Sequence, residues 1–438
     1  MIDERPIGRF QAMAIALCAL VVFVEGFDAQ AIAYVAPSIS VDWSLAKGAL
    51  GPVFAAGLAG IMLGSLFIAP LADRIGRRQI IILSTATFGV LTLVTPLAND
   101  TTTLLVLRFL TGFGLGGAMP NAISLTSEYS PARRRGFLVM LMFGGFSLGS
   151  ALGGFAAAYV IPRQGWEAVF IVGGVMPLLL LPLLWACLPE SLRFLAASGR
   201  QDAAATALLR RLDPTATAAD RVVASEAATA RGSIVELFRH GRARVTILLW
   251  IIFFMSLLDL YLIVNWLPTT LTTSGTSIGQ AAITGSIFQI GGLFGTIVIG
   301  LLSDRVGAGR MLTIAYVFAA ICIGLIGMTH GGSIATLIAV AGAGFGVVGG
   351  QIGANALSAT FYPTTIRSTG VGWALGIGRI GSIVGPLVGG MLLALDMAPQ
   401  QLFLISVIPV LVAAIAAAVV QAMFGPATAT GQRPTILH

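Results

Sequence analysis

Residues 64–78, GSLFIAPLADRIGRR, close an apolar run on an aspartate, a glycine and three arginines, and the pattern returns at 300–310 as GLLSDRVGAGR. Asp73 and Asp304 occupy the same place in the two stretches. Other elements repeat at almost the same spacing. Gly112-Phe113-Gly114 returns as Gly344-Phe345-Gly346, Pro131 and Arg135 as Pro363 and Arg367, and Gly149 and Gly153 as Gly381 and Gly385, all at a common offset. A repeat kept across four separate elements marks two copies of one structural unit.

Each copy contains six apolar runs long enough for a bilayer crossing of about 20 residues. They lie at 12–35, 50–72, 79–98, 103–126, 136–160 and 166–187, then at 245–267, 280–302, 310–328, 333–356, 369–393 and 401–423. The 438 residues are 57% hydrophobic and 10% charged, against about 25% charged in a soluble domain, which excludes a soluble fold. The 54 glycines suit close helix contacts in a membrane. The expected fold is an all-α membrane protein with 12 transmembrane helices in two pseudo-symmetric six-helix bundles, 1–188 and 245–438, with a binding site where the halves meet. A polar linker at 189–244 joins them; within it Gln201–Leu212 reads as an amphipathic helix and Ser233 with Glu236 as a capping box. The first apolar run carries Glu25 and Asp28 and no small-residue cleavage site follows it, so it reads as a retained helix.

The net charge of +7 comes from 25 basic and 18 acidic residues, and Lys47 is the only lysine. Position explains the surplus better than a nucleic-acid partner would. Alternate loops hold 21 of the 25, from Arg5 and Arg9 through nine in the linker to Arg433, while the opposite loops hold only Lys47 and Arg163. This bias predicts cytoplasmic termini and a cytoplasmic linker in the inner membrane. Cys18, Cys187 and Cys322 all fall in apolar segments, and His240, His330 and His438 are scattered. No disulfide framework, metal or cofactor is therefore expected. An enzyme would need an acid–base constellation within the spans that these histidines do not offer, and a receptor would need a larger output domain than the linker.

Two basic residues, Arg108 and Arg379, fall inside helices with Glu25, Asp28 and Asp259. A charge at bilayer depth is costly and should face a cavity and a partner. At about 1.5 Å per residue, Asp28 lies in the outer half of the first helix and Arg108 at a similar depth in the fourth, so a pair is possible. The repeat maps Asp28 onto Asp259. Glu25 and Asp28 share a helix face; paired or desolvated carboxyls hold protons more tightly, which makes one of them a proton carrier. The alternative is an Asp28 permanently ionised against Arg108. Arg379 suits a substrate carboxylate, which it can bind bidentately, or else a pairing with Asp259. With all five ionised the sum is −1, which suggests one anion and at least one proton moving together.

Asn121, Asn265, Trp266, Gln289, Gln351 and Asn355 could complete the pocket with amides and an aromatic ring; interhelical hydrogen bonding, or an interfacial place for Trp266, is the alternative for each. Asp73 with Arg77, and Asp304 with Arg310, are expected to gate, bridging neighbouring helices in one conformation and releasing them in another, unless they only set topology. Glu128 and Arg135 read as a helix-end ion pair, and LPESLRFL at 188–195 as a structural element.

The two loop elements resemble the signature of the major facilitator superfamily, although Ala69 stands where a glycine is typical. VEGFDAQAIAYVAPSI at 24–39 looks like the first-helix motif of its aromatic acid:proton symporters, Asp-Gly-aromatic-Asp, with Glu25 in place of the first Asp. RFLTGFGLGGAMPNAISLTSEYSPARRRG at 108–136, LPESLRFL, NWLPTTL at 265–271 and GGQIGANALSATFYPTTIRSTGVGWALGIGRIGSIVGP at 349–386 are similar to the same family, which would carry Asn where this chain has Asp259. The resemblance implies a monomeric, proton-coupled importer of a benzoate- or hydroxybenzoate-like acid, working by alternating access for aromatic catabolism. Asp28, Glu25 and Arg108 would couple the proton, and Arg379, Asp259 and the polar set would bind substrate. Export, or symport of a non-aromatic organic acid, is the alternative.

Overall fold

A computed structural model describes residues 7–197, 234–329, 332–363 and 366–424, with the backbone alone at Ala196, Ala197, Asp304 and Phe424. The helix expected at Gln201–Leu212, Ser233 of the capping box, Arg5, His330, Arg433, His438 and the side chain of Asp304 lie outside the described residues.

Twelve helices among the described residues are long and apolar enough to cross a membrane. They are α1 (Arg9–Asp42), α2 (Gly51–Ile75), α3 (Arg77–Leu97), α4 (Thr101–Tyr129), α5 (Ala132–Gln164), α6 (Glu167–Cys187), α7 (Ala243–Thr273), α8 (Ile278–Ser303), α9 (Ala308–Met328), α10 (Ile334–Phe361), α11 (Arg367–Ala394) and α12 (Pro399–Met423). Each apolar run became one of these helices, most of them extended at one or both ends, while α6 is one residue shorter than its run. Helix α1 runs to Asp42, past the end of its apolar run at residue 35, and stops short of Ser44, which is left-handed at φ 49°. Large apolar side chains such as Leu66, Leu179 and Ile338 stay exposed, at 62%, 73% and 68%, as the hydrocarbon of a bilayer would require.

The chain forms two compact units, Met1–Thr229 with Leu267–Ser286, and Ala230–Trp266 with Ile287–His438. Glycine sets the packing of each. In the first, a Cβ at Gly149 of α5 would strike the Phe23 carbonyl of α1, one at Gly60 of α2 the Phe109 carbonyl of α4, and one at Gly64 the Phe113 carbonyl. In the second, Gly381 of α11 meets Phe254 of α7, Gly291 of α8 meets Ala341 of α10, and Gly295 meets Phe345. These are the same contacts, displaced by the spacing of the sequence repeat. The sequence repeat is therefore a repeat of helix interfaces, brought within backbone contact by small residues. Residues Leu267–Ser286 join the first unit through Ser286, whose hydroxyl donates to the Ala151 carbonyl at 2.7 Å.

Helix α4 is interrupted between Leu115 and Ala118. Two glycines stand at the break, where a side chain on Gly116 would meet the Ile61 carbonyl of α2, and one on Gly117 the Ser84 hydroxyl of α3. Asn121 closes the break by donating to the Gly117 carbonyl at 2.8 Å and the Ala69 carbonyl at 3.4 Å.

Candidate functional site

In the first unit the in-membrane charges come together. Helix α1 carries Asp28, 1% exposed, and α4 brings Arg108, 4% exposed, so that Nη1 lies 3.7 Å from the Asp28 Oδ1. The Thr92 hydroxyl of α3 donates to the same oxygen. Arg108 Nη2 donates to Thr95 at 2.7 Å and Thr111 at 3.2 Å. Both threonine hydroxyls donate back to their own helices, at Leu91 and Leu107, which leaves their lone pairs free for the guanidinium. The Phe170 ring of α6 lies 4.9 Å from the guanidinium carbon and completes a cation–π contact. The pair expected from helix depth is thus formed, and four side chains that sequence reasoning missed enclose it. The three threonines could have been noticed only by their polarity within spanning helices, and Phe170 carried no signal. Glu25 lies one turn before Asp28, 3% exposed.

The second unit is built differently. Asp259 of α7 is 0% exposed, and among the described residues no ion pair joins it to Arg379 or to any other cation. Arg379 is half-buried on α11, and its side chain has no hydrogen bond or ion pair among the described residues. Gln351 of α10 donates to the Ser256 hydroxyl of α7. Trp266 donates to the Pro386 carbonyl at 3.0 Å and packs on Gly389, which fixes α7 against α11. Asn265 donates to the Tyr261 carbonyl of its own helix at 2.7 Å. Gln289 is 6% exposed on α8, and the Asn355 Oδ1 on α10 is buried without a hydrogen bond among the described residues.

At the loop between α2 and α3, Arg77 forms its ion pair with Glu128 of α4, and Asp73 lies within electrostatic reach of Arg77 without an ion pair among the described residues. The Glu128–Arg135 pair is corrected: Glu128 pairs with Arg77 and, at 3.9 Å, with Arg193, and accepts a 2.7 Å bond from Ser191. The 188–195 segment returns under α4 and supplies these partners. It also places the Glu190 carboxylate on the start of α3, where it accepts the N–H groups of Arg77 at 2.8 Å and Arg78 at 3.1 Å. An anion there satisfies exposed amides and the positive end of the helix dipole. Gly76 permits the approach: its φ is 101°, and a Cβ would collide with the Glu190 carboxylate. Arg310 is exposed. No metal-binding group of His, Cys, Asp and Glu occurs among the described residues.

The family model of the Major Facilitator Superfamily matches residues 18–269 and 249–434. The chain is 43% identical over 420 residues to the gallate transporter of Pseudomonas putida, covering 95% of this chain and 93% of that one. It is 38% identical over 424 residues to the 4-hydroxybenzoate transporter PcaK of Acinetobacter baylyi, covering 95% and 92%. It is 31% identical over 417 residues to the benzoate transport protein of the same organism, covering 93% and 89%. Among solved structures, the xylose transporter XylE of Escherichia coli in a partially occluded inward-open conformation superposes with a TM-score of 0.74 at 19% identity, covering 95% and 100%. A bacterial homologue of the lysosomal transporter Spinster gives 0.76 at 17%, covering 98% and 100%. Structural likeness at such identities speaks for the fold, and the relatives speak for the family. The chain belongs to the major facilitator superfamily, in the group formed by these aromatic-acid transporters, and is a multi-pass membrane transporter rather than an enzyme.

Proposed function

We propose that the chain imports an aromatic carboxylate of the benzoate or hydroxybenzoate type together with a proton, by alternating access, as a monomer in the inner membrane with both termini and the linker in the cytoplasm. The observation that carries the substrate class is similarity of 38–43% along more than nine-tenths of transporters named for gallate and 4-hydroxybenzoate. Arg379 supports it chemically, as a half-buried guanidinium whose donors have no partner among the described residues; a carboxylate would take two of them at once. Asn265, Trp266, Gln289, Gln351, Asn355 and Asn121 would shape the rest of the site.

Coupling rests on Asp28. When this carboxyl gains a proton, Arg108 loses its counter-charge and keeps the hydrogen bonds from Nη2 to Thr95 and Thr111. Glu25, one turn away on the same helix, would tune the exchange. Asp73 with Arg77 and Asp304 with Arg310 would gate.

The test is accumulation of benzoate, hydroxybenzoates and non-aromatic acids by cells or proteoliposomes, with and without a protonophore. Accumulation of an aromatic acid that collapses with the proton gradient is expected. Accumulation that survives the protonophore removes proton coupling, and failure of every aromatic acid to compete moves the assignment to export or to a non-aromatic acid.

A further inference from the structure

Asp259 occupies in the second half the position that Asp28 holds in the first, by the spacing of the repeat. The surroundings do not repeat. At the offset that superposes the glycine contacts of α4 and α10, Arg108 becomes Val340 and Thr111 becomes Ala343, and at the offset of the Asp73 and Asp304 loops Thr92 becomes Ile323 and Thr95 becomes Ile326, all of them buried. The second half keeps the carboxyl and has replaced the cation and three hydroxyls with hydrocarbon.

What faces Asp259 instead is neutral. From α12, Ser406 lies beside the carboxyl, but its hydroxyl donates to the Phe403 carbonyl of its own helix at 2.9 Å. From α9, Tyr316, 1% exposed, is the titratable neighbour; its hydroxyl lies near Ser256 without forming a hydrogen bond. From α10, Gln351 donates to Ser256 rather than to the acid. Neither oxygen of Asp259 has a hydrogen-bond partner among the described residues, and no cation reaches it. An ionised carboxylate so enclosed would be a buried charge without compensation, which proteins avoid by neutralising the group.

We infer that Asp259 is a proton-binding site of the second half, distinct from the Asp28–Arg108 pair: the two halves hold equivalent carboxyls in opposite states, one neutralised by an arginine and the other by a proton. Its share in transport rests on the proton coupling proposed above, whereas the protonation itself does not. A carrier built this way has one proton-binding carboxyl in each half, and the second is released only when water or a cation reaches α7.

The test is infrared spectroscopy of the full-length protein in lipid vesicles at neutral pH without substrate, for the wild type, Asp259→Asn and Asp28→Asn. The carbonyl band of a protonated carboxyl should be present in the wild type and lost in Asp259→Asn; a band that survives this substitution overturns the site. Asp259→Asn should melt within a few degrees of the wild type, because an amide replaces a neutral acid, whereas Asp28→Asn strips Arg108 of its counter-charge and should melt clearly lower. The reverse order of melting also overturns the inference. In vesicles loaded with a pH-sensitive dye, fewer protons should enter per anion in Asp259→Asn; an unchanged ratio removes Asp259 from coupling. A wild type that carries no aromatic acid would defeat the proposed function and leave the infrared result standing.

Discussion

Asp28 of α1 and Arg108 of α4 form an ion pair of 3.7 Å in which neither side chain is more than 4% exposed. Removing one partner leaves the other charged and buried, which costs about 3–5 kcal/mol, whereas replacing both with apolar groups is often close to neutral. Asp28→Leu and Arg108→Leu should each destabilise the protein on that scale, and the double variant by much less than the sum. Unfolding of the four proteins in detergent, arranged as a double-mutant cycle, measures the coupling. Additive losses would show that the two side chains do not depend on each other.

Gly149 and Gly381 hold equivalent interfaces, and a Cβ on either would strike the carbonyl of Phe23 or Phe254. Overpacking of this kind costs about 1–3 kcal/mol. Gly149→Val and Gly381→Val should both lower the melting temperature, while Gly136→Ala, with nothing within 4 Å of its Cβ, should be silent. A melting series of the three separates helix contact from a general intolerance of glycine substitution.

The fold was open to sequence reasoning because a bilayer fixes the length of an apolar run and the repeat doubles every signal. The Asp28–Arg108 pair was legible for a related reason: depth follows from counting residues along a helix. Thr92, Thr95 and Thr111 were not, since a hydroxyl in a spanning helix ordinarily bonds to its own backbone, and only the arrangement of three helices shows where the remaining lone pairs point. Glu128 misled for the opposite reason. Its neighbour in sequence, Arg135, was the visible partner, but Arg77 and Arg193 arrive from segments far away along the chain.

Glu190 caps α3 by accepting the amides of Arg77 and Arg78, and Gly76 makes room for it at φ 101°. Glu190→Ala should cost about 1 kcal/mol, the usual worth of a cap. Gly76→Ala should cost about 1–3 kcal/mol through backbone strain, and the collision adds to this. Amide exchange at Arg77 and Arg78 should quicken in Glu190→Ala and leave the middle of α3 unchanged. Unchanged exchange at both amides would remove Glu190 from the cap.

Asp100 begins α4 outside the membrane. The Thr103 hydroxyl, 2.6 Å away, and the amides of Thr103 and Thr102, at 2.9 and 2.8 Å, hold its carboxyl below the usual carboxylate range. A group whose ionised form the fold favours adds stability above its unfolded value and loses it as pH falls through the folded one. The Thr102 and Thr103 amides should therefore lose protection on acidification beyond what the pH dependence of intrinsic exchange explains. In Asp100→Ala this excess should vanish.

Arg379 differs from Arg108 in having nothing to lose within the fold. Its side chain makes no bond among the described residues, so Arg379→Ala should melt like the wild type, a result that Arg108→Leu cannot give. If it holds the substrate carboxylate, the loss is one of binding. Charged hydrogen bonds are worth about 1.5–3 kcal/mol, so the half-saturating concentration of substrate should rise by roughly tenfold or more. Arg379→Lys should recover only part of this, because an ammonium keeps the charge but not the planar fork that grips two oxygens. Uptake at varied substrate concentration, with surface expression measured alongside, separates the cases. A lowered maximal rate at unchanged half-saturation would place Arg379 in the movement of the helices and leave the carboxylate to be held elsewhere.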